Sequence, residues 1–146
     1  MIDSRQIAIG ERIVALVRNL DLDFINDGDV RLETYAIATA PGTGVIVSPL
    51  REQETSRLNN LIDITYPYVV VYCESGTGIY DNVNIKSRFR QAILDRFHRK
   101  RIGLPVDLGC CEIITHVTHD DMEVKREWLK NNRDYTLMVV NVTVRF

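Results

Sequence analysis

The chain has few of the features that would place it in a specialised class of proteins. Its three cysteines are too few, and odd in number, for a disulfide framework. With 18 basic and 20 acidic residues its net charge is −2, so no overall basic field favours nucleic acid. No apolar run approaches the roughly 20 residues that span a bilayer. The charged opening MIDSRQIAIGER is unlike a signal peptide. These absences predict a soluble intracellular protein, or one that is assembled inside a cell.

Motifs of catalysis and of phosphate binding are also missing. The sequence has neither a G-x-S-x-G turn nor a P-loop, and its GTG triplets at 42–44 and 76–78 are typical of turns. His119, with Asp120 and Asp121, could act as an acid–base group. The cysteines that could serve as nucleophiles lie in apolar segments, which disfavour a thiolate. We therefore expect neither enzymatic activity nor a cofactor.

Two clusters resemble metal sites but lack the required spacing. Around Gly28, Ile25 stands where a calcium loop needs Asp or Asn, and no Glu follows at the required place. The adjacent Cys110 and Cys111 would point to opposite faces of a strand and could not share a zinc ion. We therefore expect no metal. The ligands considered were Asp21, Asp23, Asp27 and Asp29 for calcium, and Cys110, Cys111, His116 and His119 for zinc.

The length suits one domain, 1–146, and apolar periodicity predicts two helices in it. The first helix is expected to start at Asp3 or Ser4 and to end near residues 19–21. The second is expected from about Asn84 to Arg101, with Gly103 and Pro105 after it. The apolar stripes are Ile9, Ile13, Leu16, Val17 and Leu20 in the first helix, and Ile85, Phe89, Ala92, Ile93, Phe97 and Ile102 in the second.

Four segments have the apolar, β-branched composition of strands, and a fifth has it more weakly. Pro67 predicts that the first half of its segment is an edge or a bulge, and the polar stretch 51–60 is expected to be a long loop. The order of elements predicts an α+β fold. It would have an antiparallel or mixed sheet of four to five strands, with two helices packed on one face. The segments are VIVSPL (45–50), Leu61–Ser75, Cys110–Thr118 and Tyr135–Phe146, with VRLETYAIAT (30–39) as the weaker one.

The last strand, YTLMVVNVTVRF, carries two different rows of side chains. Alternation places five apolar residues, from Met138 to Phe146, on one face, which should lie against the helices. The other row changes from Leu137 and Val139 to polar residues. This change predicts that a partner covers part of the outer face. The polar residues are Asn141, Thr143 and Arg145.

Charge is unevenly distributed along the chain. Residues 81–101 contain seven basic and two acidic side chains, a net charge of +5, which leaves −7 for the remainder. The positive end of this segment, from His98 to Arg101, lies where cations favour the helix dipole. The segment could be a solvated helix face, a nucleic-acid contact or a surface that docks on an acidic neighbour. Aromatic residues do not alternate with its basic residues, so stacking on single strands is not expected.

The order of elements resembles the tail-terminator (minor tail protein U-like, tail-completion) family of long-tailed bacteriophages. ERIVALVRNL takes the place of the first helix, and VIVSPL with ITYPYVVVYC that of a strand pair joined by the loop 51–60. NIKSRFRQAILDRFHRK is similar to the second helix. CEIITHVTHDDMEVKREW and RDYTLMVVNVTVRF resemble the closing hairpin. The resemblance covers nearly the whole chain and is architectural, without a shared motif.

The resemblance implies a virion structural protein and not an enzyme. Such a protein forms a ring, usually a hexamer, that caps the tail tube and presents a surface to the neck. The implied partners are further copies of itself, the tail tube protein and a neck or stopper protein, with the tail sheath as a further candidate. Genomic DNA would pass through the ring without sequence-specific binding, and no membrane is involved. The implied location is the tail or neck of the virion, and the host cytoplasm during assembly.

Three polar groups are the predicted subunit or partner interface: the loop after residue 50, the basic end of the second helix and the outer row of the last strand. The alternatives are another connector or tail component, a nucleic-acid-binding domain that uses the basic helix, and a small α+β enzyme that uses His116, His119 and Asp120. The predicted interface residues are Arg51, Glu52, Glu54, Arg57, Arg96, Arg99, Lys100, Arg101, Asn141, Thr143 and Arg145.

Overall fold

A computed structural model of the chain describes residues 4–25, 30–32, 44–56, 61–75, 79–105, 108–118 and 133–146. Within these ranges the chain forms two helices and seven strands. The helices are α1 (Ser4–Arg18) and α2 (Ile79–Phe97). The strands are β1 (Val30–Leu32), β2 (Gly44–Pro49), β3 (Gln53–Ser56), β4 (Ile62–Ser75), β5 (Cys111–Glu112), β6 (His116–Thr118) and β7 (Arg133–Arg145).

The strands form one mixed sheet in the order β1-β2-β4-β7-β5, with β3 beside β4 and β6 beside β7. β1 and β2 are parallel, and the other pairs are antiparallel. Both helices pack on the same face, so the predicted α+β architecture is confirmed. The described sheet has more strands than the predicted four to five, for two reasons. Part of the stretch predicted as a loop forms β3, and the segment 110–118 forms two short strands.

The two long central strands, β4 and β7, contribute 12 of the 26 buried apolar residues in the described part of the chain. They pair over thirteen residues, from Asp63 opposite Arg145 to Ser75 opposite Arg133. On the helix side their alternate residues are buried: Met138, Val140, Val142 and Val144 are all 0% exposed. The predicted inward row of the last strand is therefore confirmed, with Phe146 partly buried at its end. The stripes of both helices pack on this row and its neighbours.

Pro67 lies inside β4 and not at an edge or a bulge, so that prediction was wrong. It is opposite Asn141 of β7, and its carbonyl oxygen accepts the N–H of Leu50 on the other side, 2.8 Å away. In an antiparallel strand the N–H and C=O of one residue point the same way. The missing N–H of Pro67 therefore faces the point where β2 ends and β3 begins, and the β4–β7 ladder loses no hydrogen bond.

The observed helices differ from the predicted bounds mainly at α2. α1 ends at Arg18, close to the prediction, whereas α2 runs from Ile79 to Phe97 and so begins and ends earlier than predicted. Its end is set by Thr115, whose hydroxyl donates to the carbonyls of Phe97 and Lys100. Arg99 there takes a left-handed conformation, with φ of 55°. None of the described helices is long and apolar enough to cross a bilayer.

Several predicted features lie outside the described residues. They are the Asn26–Gly28 turn, the part of the weak strand after Leu32, the GTG triplet at 76–78, most of the charged connection 119–134, and the interface residue Arg57.

Candidate subunit interface

The first predicted interface group lies on and before β3. Gln53 and Glu54 pair with β4 across from Thr65 and Ile64, and no described strand pairs with the other edge of β3. Arg51, Glu52 and Glu54 are all exposed. We call residues Glu52–Glu54 the acidic edge. Among the described residues, no basic group lies within ion-pair distance of Glu52 or Glu54.

The second group follows α2, and we call residues Arg99–Arg101 the basic loop. All three side chains are exposed, and no described carboxylate lies within ion-pair distance of them. Arg96, one turn earlier, is half-buried, with its guanidinium carbon 5.9 Å from the ring centre of Phe97. The basic loop is therefore a compact group of three cations that its own chain leaves unpaired in the described structure.

Other basic residues of α2 are bound within the chain. Arg88 forms an ion pair with Asp23 at 2.8 Å and lies over the ring of Phe24, with 5.0 Å to its centre. Arg90 donates to the hydroxyl of Thr136 at 2.8 Å. Asp23 therefore has a structural role here. The positive charge of residues 81–101 that remains available to a partner is therefore concentrated in the basic loop.

The backbone around the basic loop is held by the side chains of Glu112 and Arg12. The carboxylate of Glu112 accepts the N–H groups of Ile102, Gly103 (3.1 Å) and Leu104 (3.1 Å). Arg12 of α1 donates to the carbonyl of Ile102 at 2.7 Å.

Next to this carboxylate, Thr115 pairs its backbone with Arg99 and Lys100. Gly103 has a φ of 72°, which suits its place in the carboxylate-binding turn. Sequence reasoning identified the cations but missed their supports.

Two histidines meet beside the basic loop. The rings of His98 and His116 lie 4.9 Å apart between centres, and Val117 N–H donates to Nδ1 of His98 at 3.1 Å. His116 is the one residue of the predicted acid–base alternative that lies within the described ranges, since His119 and Asp120 fall outside them. Among the described residues no group of three or more His, Cys, Asp or Glu side chains is placed to hold a metal ion.

The third group, the polar outer row of β7, bonds within the sheet. Asn141 donates to the carbonyl of His116 at 3.1 Å, and the hydroxyls of Thr143 and Thr65 lie 2.9 Å apart. Arg145 forms an ion pair with the buried Asp63, with 2.9 Å between Nε and Oδ1.

The pKa of Arg145 is raised above its usual range, mainly by the hydrogen bond to Asp63 and secondly by the negative charge of that carboxylate. These contacts align β4, β7 and β6 at one end of the face opposite the helices. The side chains in this row are therefore less free to bind a partner than those of the other two groups.

The three cysteines lie in three different environments, so we predict a fixed order of thiol labelling. Cys111 is exposed, Cys110 is half-buried and Cys73 is buried on the sheet face opposite α1 and α2. Burial, partly opposed by Arg5, raises the pKa of the Cys110 thiol above its ordinary value of 9.0. At a pH of about 8, a disulfide reagent should modify Cys111 first, Cys110 more slowly and Cys73 only after unfolding.

The labelling is measured on Cys110→Ser and Cys111→Ser variants, which separate the two neighbours. The rate at Cys110 should keep rising with pH beyond 9.0, because its thiolate forms late. A raised thiol pKa favours the folded state below pH 9.0, and this contribution is lost as the pH rises through the folded-state value. Labelling of Cys73 at the rate of Cys111 in the folded protein would contradict its burial.

Comparison with known proteins does not assign a family. No family model matches the chain, and no curated protein matches its sequence. The arrangement of elements and the two charged groups at the sheet edges are therefore the basis for a functional proposal.

Proposed function

We propose that this chain is a virion structural protein of the tail-terminator type. It would assemble as a ring that caps the tail tube of a long-tailed bacteriophage and joins the tail to the neck. The observation that carries the proposal is the order and pairing of the elements. A helix precedes an antiparallel strand pair, a second helix follows, and an antiparallel hairpin closes the sheet.

The strand pairing supports the proposal at two pairs of strands. β2 and β4 are direct antiparallel neighbours, from Gly44 opposite Cys73 to Pro49 opposite Tyr68. β3 continues in the direction of β2 along the same edge of β4, from Gln53 opposite Thr65 to Ser56 opposite Ile62. β6 and β7 pair from His116 opposite Asn141 to Thr118 opposite Val139. The antiparallel pair β2–β4 and the closing pair β6–β7 support the proposal, whereas part of the stretch 51–60, which the resemblance takes as a long loop, forms β3.

The chemistry of the surface supports a binding role for the chain. The charged groups at the two sheet edges are exposed and lack ion-pair partners in the described structure. Charged, complementary surfaces direct the choice and the orientation of partners. The proposed partners are further copies of the chain, the tail tube protein and a neck or stopper protein, and the proposed location is the virion.

The proposal predicts a closed ring that limits tail-tube growth. Purified protein should give hexameric rings in negative-stain images at high concentration. Added to a polymerising tail tube protein of the same phage, it should shorten the tubes and appear at one end. Light scattering coupled to size exclusion measures the first effect, and tube-length distributions the second. A chain that neither forms rings nor changes tube length would contradict the proposal.

A second candidate is nucleic-acid binding through the basic loop. Its support is the group of three exposed cations at the end of α2. Phosphate contacts by this loop would make the affinity for a DNA duplex fall with the logarithm of salt concentration. A filter-binding titration at several salt concentrations distinguishes this candidate, since a protein that acts only through subunit contacts gives no salt-sensitive DNA retention.

A further inference from the structure

The acidic edge and the basic loop lie on opposite edges of the sheet. The acidic edge follows the outer side of β3, which borders β4. The basic loop lies along the other side, where Thr115 pairs its backbone with Arg99 and Lys100 just before β6. Between them the sheet runs through β4 and β7. One chain therefore presents opposite charges at its two sheet edges.

The two groups also lie at the same level along the strands. Gln53 is opposite Thr65, and Thr65 is opposite Thr143 in the next strand. The carbonyl of Thr143 accepts the N–H of Ile113 at 2.9 Å, and Ile113 is two residues before Thr115. A single row of residues across the sheet thus runs from the acidic edge to the neighbourhood of the basic loop.

The charges share one side of the sheet as well. Ile64 packs against the helix-side core, and Glu54 is its cross-strand partner, so the Glu54 side chain projects on the helix side. The basic loop continues from α2, which lies on that same side. Two copies placed edge to edge, in the same orientation, would bring these groups together without turning either copy over.

We propose that copies of this chain associate head to tail, with the acidic edge of one copy against the basic loop of the next. This inference rests on the proposed ring, for which it names the contact. Contacts between two different surfaces of identical subunits generate rings when the rotation closes. A two-fold contact at either edge alone would place like charges together. The occupant of each charged edge is therefore the other edge of a second copy.

The charged residues on either side favour this partner over nucleic acid. The acidic edge would repel a polyanion, and it has no partner of its own in the described structure. The described neighbours of the basic loop include the His98–His116 pair, whose ring centres lie 4.9 Å apart with 49° between the ring planes, so these rings contact each other. The basic loop is therefore better matched by two carboxylates on a strand than by a phosphate backbone.

The test reverses the charge of each edge separately and then of both together. The acidic-edge variant is Glu52→Lys with Glu54→Lys, and the basic-loop variant is Lys100→Glu with Arg101→Glu. Arg99 is left unchanged because its left-handed backbone and its hydrogen bond to Thr115 shape the loop. The swapped variant carries all four substitutions and keeps the native net charge. Glu11→Lys with Asp95→Lys, at exposed helix positions, matches the charge change of the acidic-edge variant.

Sedimentation velocity measures self-association of each variant at low and moderate salt. Each single-edge variant should associate about tenfold more weakly than the wild type or worse, and the swapped variant should recover to within about threefold. The acidic-edge variant has two basic edges and the basic-loop variant two acidic ones, so an equal mixture should associate although neither does alone. The helix control should behave as wild type, and all variants should keep the wild-type thermal unfolding midpoint.

Failure of the swapped variant to recover would overturn the inference, as would wild-type association in both single-edge variants or a wild type that stays monomeric. Loss of salt-sensitive binding to a short DNA duplex in the basic-loop variant, with self-association intact, would assign the loop to nucleic acid instead. The tube-length assay is read separately. If single-edge variants cap tubes as well as the wild type does, the proposed function is supported and the proposed subunit contact is refuted. If association depends on these charges but the protein does not cap tubes, the subunit contact is supported and the proposed function is refuted.

Discussion

Replacement of Phe97 with alanine should lower the free energy of unfolding by about 3–5 kcal/mol, the usual cost of deleting a buried aromatic ring. The Phe97 side chain is 0% exposed, and it closes the last turn of α2 over the core. Its removal leaves a cavity beside Ile93 and Ile102, which are also buried. Domains are stable by about 5–15 kcal/mol in total, so this one change would remove a large part of the margin.

Urea unfolding measures this effect as a lower midpoint with an unchanged slope. Phe97→Leu, which keeps most of the volume, should cost clearly less than Phe97→Ala. Gln91→Ala, at an exposed position of the same helix, should change stability by at most about 0.5 kcal/mol. If Phe97→Ala lowered the free energy of unfolding by less than about 1 kcal/mol, the end of α2 would not pack on the sheet as described.

The features predicted correctly from the sequence are those set by local periodicity. The stripe with Phe89 and Ile93 at helical spacing is buried in the core, and so is the row from Met138 to Val144 at strand spacing. Each pattern shows by itself which face of its element is buried, because an element with one apolar face packs that face against the core. The α+β architecture follows from the order of these elements.

The errors concern hydrogen-bond partners that are distant in sequence. Pro67 is tolerated in a central strand because its missing N–H faces the gap between β2 and β3, and the register that places this gap beside Pro67 joins residues far apart in the chain. β3 forms from polar residues because Gln53–Ser56 pairs with a long strand that extends past β2. A polar edge strand has no apolar alternation by which it could be recognised.

The candidate interface was predictable in charge but not in position. Composition identifies Lys100 and Arg101 as part of a cationic group and Glu52 and Glu54 as acidic. Their placement at opposite edges of one row depends on the β3–β4 and β4–β7 registers, which join residues far apart in the chain. The complementary arrangement is therefore a property of the folded sheet.

Glu112 is the support of the basic loop that sequence reasoning could not find, because its three bonds run to residues eight to ten positions away. Replacement by alanine should cost about 2–3 kcal/mol of stability, because hydrogen bonds to a charged acceptor contribute more than neutral ones and three N–H donors lose it together. Part of the site is open to water, which limits the loss. Urea unfolding of Glu112→Ala measures it.

Glu112→Gln separates the hydrogen bonds from the space that the side chain fills. Glutamine keeps one carbonyl oxygen, which can accept the N–H groups of Gly103 and Leu104, but its NH2 group then opposes the N–H of Ile102. It should therefore lose most of the stability that alanine loses, and it should not behave as wild type. Amide exchange at residues 102–104 should accelerate in both variants. Exchange in the β4–β7 ladder should change only as much as the lower free energy of unfolding of the whole protein requires. Slow exchange at all three amides in Glu112→Ala would show that the carboxylate does not hold this turn, and the basic loop would then need another support.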